Sequence, residues 1–190
     1  MAQDSINRII AIGGSAGSLE VIMKIVQSLK TGSGNVYLII VHRKNDAESI
    51  LAELLKAKTS LVVKEVEDKD LIEPGHIYLA PSNYHLLLED ERHFSLDASE
   101  KIHFSRPSID VTFESLAEIY GKKVIGILLS GANADGVKGL QTIQKSGGFT
   151  IVQDPSSAEV SFMPEQAIQA NAYNSIANPD EMILQLGQFE

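Results

Sequence analysis

The first apolar run, Arg8-Ile9-Ile10-Ala11-Ile12, breaks at once into a turn of small residues, Gly13-Gly14-Ser15-Ala16-Gly17-Ser18. Behind it Leu19, Ile22, Met23, Val26 and Leu29 recur at steps of three and four, and Gly32-Ser33-Gly34 ends the pattern. That period lays one apolar stripe along a helix, so the order predicted is strand, tight turn, helix. Val36 to Val41 is continuously apolar and β-prone, as a parallel strand must be when helices cover both its faces. Ile50, Leu51, Leu54 and Leu55 then stripe a second helix over about 47–57.

From about 61 to 104 the pattern shortens to Val62–Val66, Ile77–Ala80 and His85–Glu89, split by Pro74-Gly75 and Pro81-Ser82-Asn83. Short runs between such breakers predict hairpins and an edge region, inserted within one domain. Helical spacing resumes near Asp110 to Tyr120, with Ser108 as a candidate N-cap, and leads into the apolar strand Val124–Leu129. A helix over about 137–145, a strand at Thr150–Val152, and helices near Pro164–Ala170 and Pro179–Leu186 complete an alternating order. The fold class expected is α/β, doubly wound, a mainly parallel sheet with an antiparallel hairpin insertion, as a single domain over residues 1–190.

Composition narrows the chemistry. The 190 residues, 44% hydrophobic, suffice for one core. No run approaches the roughly 20 apolar residues of a membrane span, and Met1 to Arg8 lacks the features of a secretion signal, so a cytoplasmic protein that is not membrane-embedded is expected. Cysteine is absent, which removes thiolate nucleophiles and thiolate metal sites. A net charge of −9 with scattered basic residues argues against a nucleic-acid partner.

Gly13-Gly14-Ser15-Ala16-Gly17 fits G-x-S-x-G, in which a serine on a sharp strand-to-helix turn projects its hydroxyl. The following helix would aim backbone N–H groups and its positive end at that serine, with amides around Ala16 and Gly17 suited to an oxyanion. A dinucleotide-binding turn fits less well: the spacing of G-x-G-x-x-G is not met, and His42-Arg43, not an acid, ends the second strand. A purely structural turn is the other reading. In a parallel sheet His42 emerges beside Ser15 at the carboxyl edge, and Asp135, in Ser130-Gly131-Ala132-Asn133-Ala134-Asp135-Gly136, reaches the same edge from a third strand. A hydroxyl, an imidazole and a carboxylate are the parts of a serine hydrolase triad, in an order, Ser-His-Asp, unlike that of the α/β-hydrolases. Taken alone, His42 reads as a loop residue and Asp135 as a cap of the next helix. His76, His85, His93 and His103 lack metal-ligand spacing, so neither metal nor cofactor is invoked.

These residues carry a wider resemblance. Ile10–Gly17, Val41-His42, Glu73–Pro81, Arg106-Pro107-Ser108-Ile109-Asp110-Val111-Thr112-Phe113, Ser130–Gly136 and Phe162-Met163-Pro164 stand in the order and spacing of the chemotaxis protein-glutamate methylesterase family, the catalytic domain of CheB. The resemblance implies Ser15 as nucleophile, His42 as base and Asp135 as acid. It implies demethylation of glutamate methyl esters, and deamidation of glutamines, on methyl-accepting chemotaxis receptors. It departs from the family at Ala16 (usually Thr), Ser18 (usually Gly) and Ala132 (usually Met). A weakened domain acting as a receptor-binding signalling module is therefore the alternative. Arg106 is a candidate contact to an acidic receptor helix. The first strand begins within ten residues, so the receiver domain common in the family is not expected. The expected form is a stand-alone esterase or a domain of a longer protein, partnered by a separate response regulator, methyltransferase or kinase domain.

Overall fold

The computed structural model describes residues 5–42 and 48–190, with the side chains of residues 48 and 49 left out. Arg43 and the expected start of the second helix at Ala47 lie outside the described residues. The chain runs β1 (Ile9–Gly14), α1 (Leu19–Ser28), β2 (Val36–Val41), α2 (Glu48–Lys56), β3 (Val62–Glu65), β4 (His76–Leu79), β5 (His85–Leu88) and β6 (Phe94–Asp97). It continues α3 (Ile109–Tyr120), β7 (Val124–Leu128), α4 (Val137–Lys145), β8 (Phe149–Gln153), α5 (Phe162–Gln169), β9 (Ser175–Ala177) and α6 (Pro179–Leu186).

Seven strands form one parallel sheet in the order β3-β4-β2-β1-β7-β8-β9, and β5 pairs with β6 in a separate antiparallel hairpin. The continuous apolar runs follow from two-sided burial, because alternate residues of one strand serve opposite layers. Ile9, Ala11, Leu38, Ile40 and Leu128 meet Ile109, Phe113 and Leu116 of α3, Leu140 and Ile143 of α4, and the hairpin's Leu86 and Phe94. Ile10, Ile12, Tyr37, Ile39 and Ile127 meet Ile22, Ile25 and Val26 of α1, Leu51 and Leu55 of α2, and Met182 and Leu186 of α6.

The segment 61–104 supplies the expected hairpin and an edge strand, β3, and departs from expectation in one pairing. Only β5–β6 is a hairpin, whereas β3 and β4 are parallel strands of the main sheet, joined without a helix. Burial of the Tyr78 side chain explains how a loop does a helix's work there. Its hydroxyl donates to Leu71 O at 2.9 Å and accepts from Glu73 N at 3.0 Å, tying the connection down. The hairpin is pinned to α3, since Thr112 Oγ1 donates to Leu86 O and Leu88 N donates to Ser115 Oγ.

At β1 the strand order reverses: the chain builds β2, β4 and β3 on one side of it and then returns to lay β7 and β8 on the other. Such a switch point opens a crevice at the carboxyl ends of the strands. α3 crosses beneath it, and Ile109 fills the space left by Gly13 and Gly136, where added β-carbons would fall 2.5 and 2.9 Å from Ile109 Cγ2. Gly136 also has φ +96, outside the range that side chains tolerate. Gly32 has φ +83 with open space around it. Gly32→Ala is expected to cost about 1 kcal/mol, the backbone term alone, and Gly136→Ala about 3 kcal/mol, backbone plus overpacking. Urea midpoints measured side by side check this, and equal losses would show that Ile109 yields freely.

Candidate active site

Strand pairing places the groups. Gly14 and Val41 are register partners, so the residues that follow them, Ser15 and His42, leave adjacent strand ends, and His42 N donates to Gly14 O at 3.3 Å. The turn that carries Ser15 is fixed by its backbone. Ser15 N donates to Ser130 O at 2.9 Å, and Ser15 O accepts from Ser18 N and from the buried Ser18 hydroxyl at 2.7 Å. Ser130, fully buried after β7, extends the clamp: its hydroxyl donates to Ala16 O at 2.7 Å and accepts from Val160 N at 2.8 Å. Gly17 has φ +77, and a β-carbon there would meet Glu159 Cβ at 2.5 Å and Ser130 Oγ at 2.8 Å. The amides of Ala16, Gly17 and Ala132 donate to no other described residue, and Ala132 is exposed.

His42 and Asp135 meet directly. His42 Nε2 donates to Asp135 Oδ2 at 2.7 Å, and the remaining ring nitrogen, Nδ1, is buried with no hydrogen-bond partner among the described residues. A buried unpaired nitrogen is uncommon and calls for a functional explanation. No hydrogen bond joins Nδ1 to the Ser15 hydroxyl among the described residues.

Asp135 is fully buried and accepts four hydrogen bonds. Besides His42, Ile109 N donates to Oδ2 at 2.7 Å, and Asp110 N and Ser108 Oγ donate to Oδ1, each at 2.9 Å. The rival reading of Asp135 taken alone, as a cap of the helix after it, is replaced by another: it accepts the first amides of α3, which begins 26 residues upstream. The reason is topological, since α3 ends its approach against the β7 exit and brings its unpaired amides and positive end to the carboxylate. Burial pushes Asp135 up, but the hydrogen bond from His42, the amides of Asp110 and Ile109 and the charge of His42 together hold it below the ordinary carboxylate value.

Asp110 returns the favour. In the first turn of α3, its Oδ1 accepts from Gly139 N, in the first turn of α4, at 2.7 Å. His103 Nε2 lies 3.5 Å from Asp110 Oδ2, and one ligand atom from each of His103, Asp110 and Asp135 falls within 4.8 Å of the others. Spacing along the chain gave no hint of this grouping. Burial pushes the Asp110 carboxyl up to about 6; the Gly139 amide opposes this, the Asp135 charge adds to it, His103 opposes it and Glu114 adds to it. His85 is buried: Nε2 donates to Glu100 O at 2.9 Å and Nδ1 accepts from Ser108 N at 3.1 Å.

Arg106 does not join the group. Its Nη1 donates to Ala98 O at 2.6 Å and to Ser99 O at 2.5 Å, so its guanidinium is engaged in holding the loop before α3 and is not a freely solvated cation. A groove of about 650 Å³ opens beside the serine turn, lined by Gly17, Leu19, Met23, Lys24, Lys58 and Glu159, among others. Another cavity, of about 570 Å³, lies at the opposite, amino edge around Gly34, Gly75 and His76.

The two carboxylates have opposite linkage to stability. The Asp135 contribution is present above the ordinary carboxylate value and is lost as pH falls through its depressed folded value. Asp110 ionises later in the folded chain than in the unfolded one, so folding is favoured while it is protonated and loses ground as pH rises through about 6. Asp110→Asn keeps an acceptor for Gly139 N. It is expected to exceed the parent in stability by about 2 kcal/mol near pH 8 and to match it near pH 4. Urea unfolding at the two pH values checks the sign, and a loss near pH 8 would show the charge to be stabilising.

Comparison with known proteins identifies the family. The family model described as CheB methylesterase matches residues 10–186. A Leptospira interrogans protein provisionally named protein-glutamate methylesterase/protein-glutamine glutaminase is 39% identical over 182 residues, 94% of each chain. A Methanosarcina mazei protein-glutamate methylesterase/protein-glutamine glutaminase 2 is 34% identical over 94% of this chain and 50% of its own length. The crystal structure of the Thermotoga maritima CheB methylesterase catalytic domain superposes with a TM-score of 0.93 at 30% identity, over 97% of this chain and 99% of that one. With strand order, serine turn and capped carboxylate already in place, the match over nearly the whole length means that the chain belongs to the CheB methylesterase family.

Proposed function

We propose that this chain hydrolyses glutamate methyl esters on methyl-accepting chemotaxis receptors, with Ser15 as nucleophile, His42 as general base and Asp135 as the acid that orients the histidine. The observation that carries it is the buried Nδ1 of His42, without a hydrogen-bond partner among the described residues, at the strand end next to Ser15, on a ring whose Nε2 proton is committed to Asp135. That tautomer leaves a lone pair on Nδ1, which is what a base for the serine proton needs.

His42 Nδ1 takes the Ser15 proton as Oγ attacks the ester carbonyl. The unpaired amides of Ala16, Gly17 and Ala132 are the donors at hand for the oxyanion. His42 then returns the proton to the departing methoxide, releasing methanol, and water cleaves the glutamyl-serine ester by the same exchange. Asp135 stays ionised throughout, a role supported by its four donors. A glutamine side chain enters the same path with ammonia as the leaving group. Hydrogen bonds of this kind commonly close only in the substrate complex, so an open Ser15–His42 contact is compatible with these roles. The groove at Leu19 and Met23 offers apolar surface to the helix that presents the ester. Nothing in the geometry favours the non-catalytic alternative, since a pure binding module gains nothing from an unpaired buried imidazole nitrogen.

Methanol release from methylated receptor membranes is the direct measurement. Ser15→Ala and His42→Ala are each expected to lower turnover on the order of 10³-fold or more. Release at the parent rate by Ser15→Ala would end the assignment.

A further inference from the structure

The Asp110 carboxylate is chemically more than its place in the fold requires. Gly139 N needs one acceptor, and an amide oxygen would supply it as well as a carboxylate does. The charge instead stands in a buried site beside a second carboxylate, Asp135, where like charges oppose each other. Two helix N-termini make the pair tolerable, because α3 delivers its amides to Asp135 and α4 delivers one to Asp110. A buried charge held at such a cost, in contact with the group that orients His42, points to a use in the reaction.

We propose that Asp110 is a positioning residue for the triad, its carboxylate standing behind Asp135 and strengthening His42 as a base. This rests on the esterase reading for its purpose but not for its test. The charged groups around Asp110 are few among the described residues: His103 from the preceding loop at 3.5 Å, Asp135 from the β7 exit, Glu114 one turn along α3 and Lys138 from α4. Lys138 is paired with Glu114 at 3.0 Å, and His103 is half-exposed, which leaves Asp135 as the buried neighbour that feels Asp110 most. Negative charge behind Asp135 favours the imidazolium of His42. The same field favours the positive charge that the ring acquires as it takes the serine proton.

The test follows the His42 ring itself. In Asp110→Asn, with the Gly139 contact kept, the titration midpoint of the His42 ring resonances is expected to fall by about 0.5 to 1 pH unit, as Coulomb's law gives for a charge removed at this range in a partly buried site. The acid limb of kcat/KM should fall by the same amount. Glu114→Gln removes a charge on the same helix face farther from the triad and should leave both where they are. A purely structural Asp110 would give an unmoved midpoint in Asp110→Asn, and that result overturns the proposal whether or not the protein turns over an ester. A midpoint that falls in a protein without turnover sustains the proposal and removes the esterase reading instead.

Discussion

The structure depends on an exchange between two helices. α3 and α4 each arrive at the carboxyl edge with unpaired amides, and each supplies the acid that satisfies the other: Asp135, just before α4, takes the amides of Ile109 and Asp110, while Asp110 takes the amide of Gly139. Neither helix can be shifted along its axis without breaking both sets. The close packing at the crossing enforces this, for a β-carbon at Gly139 would stand 2.5 Å from Phe113 Cβ. Because Asp135 also accepts from His42 Nε2, the ring's tautomer and orientation are set by helix packing and not by a mobile loop. Two further contacts brace the same corner, the Ser108 hydroxyl on Asp135 and the His85 ring under Ser108 N.

This arrangement explains which parts of the molecule could be read from the chain. The strands at the centre were legible, because two-sided burial writes itself as Val36–Val41 or Val124–Leu128 with no polar interruption. The three groups at the edge were legible for the same reason, each following such a strand. β3 lies at the sheet edge, as short runs between breakers suggest, but its parallel pairing with β4 was not legible, because the tie made by the Tyr78 hydroxyl leaves no periodic trace. β9 has three residues, too few for any pattern. Asp135 as a cap of α3, Asp110 as its counterpart and His103 beside both were hidden because the contacts span tens of residues and depend on where two helices cross.

Ser130 was hidden in a different way. Its position in a small-residue loop reads as a turn, yet its hydroxyl joins Ala16 O and Val160 while its carbonyl holds Ser15 N. Only the parallel pairing of β1 with β7 reveals that the loop after one strand is the support for the turn after the other. Arg106 shows a different kind of hidden contact. An arginine beside a proline looks available to a partner, whereas its guanidinium meets carbonyls of its own loop.

The residues at which this chain departs from its family can be weighed on the same contacts. At Ala16 and Ala132 the hydrogen-bonding groups presented at the site are backbone, and exchanging the side chain leaves the carbonyl of Ala16 with Ser130 and the free amides in place. At Ser18 the added hydroxyl has a partner, since it donates to Ser15 O at 2.7 Å and so fastens the nucleophile's own carbonyl. That bond also accounts for Gly14, where a β-carbon would fall 2.6 Å from Ser18 Cβ. Here the four donors to Asp135, the clamp from Ser130 and the fastened Ser15 carbonyl are present together, so each contact holds the geometry that the others need.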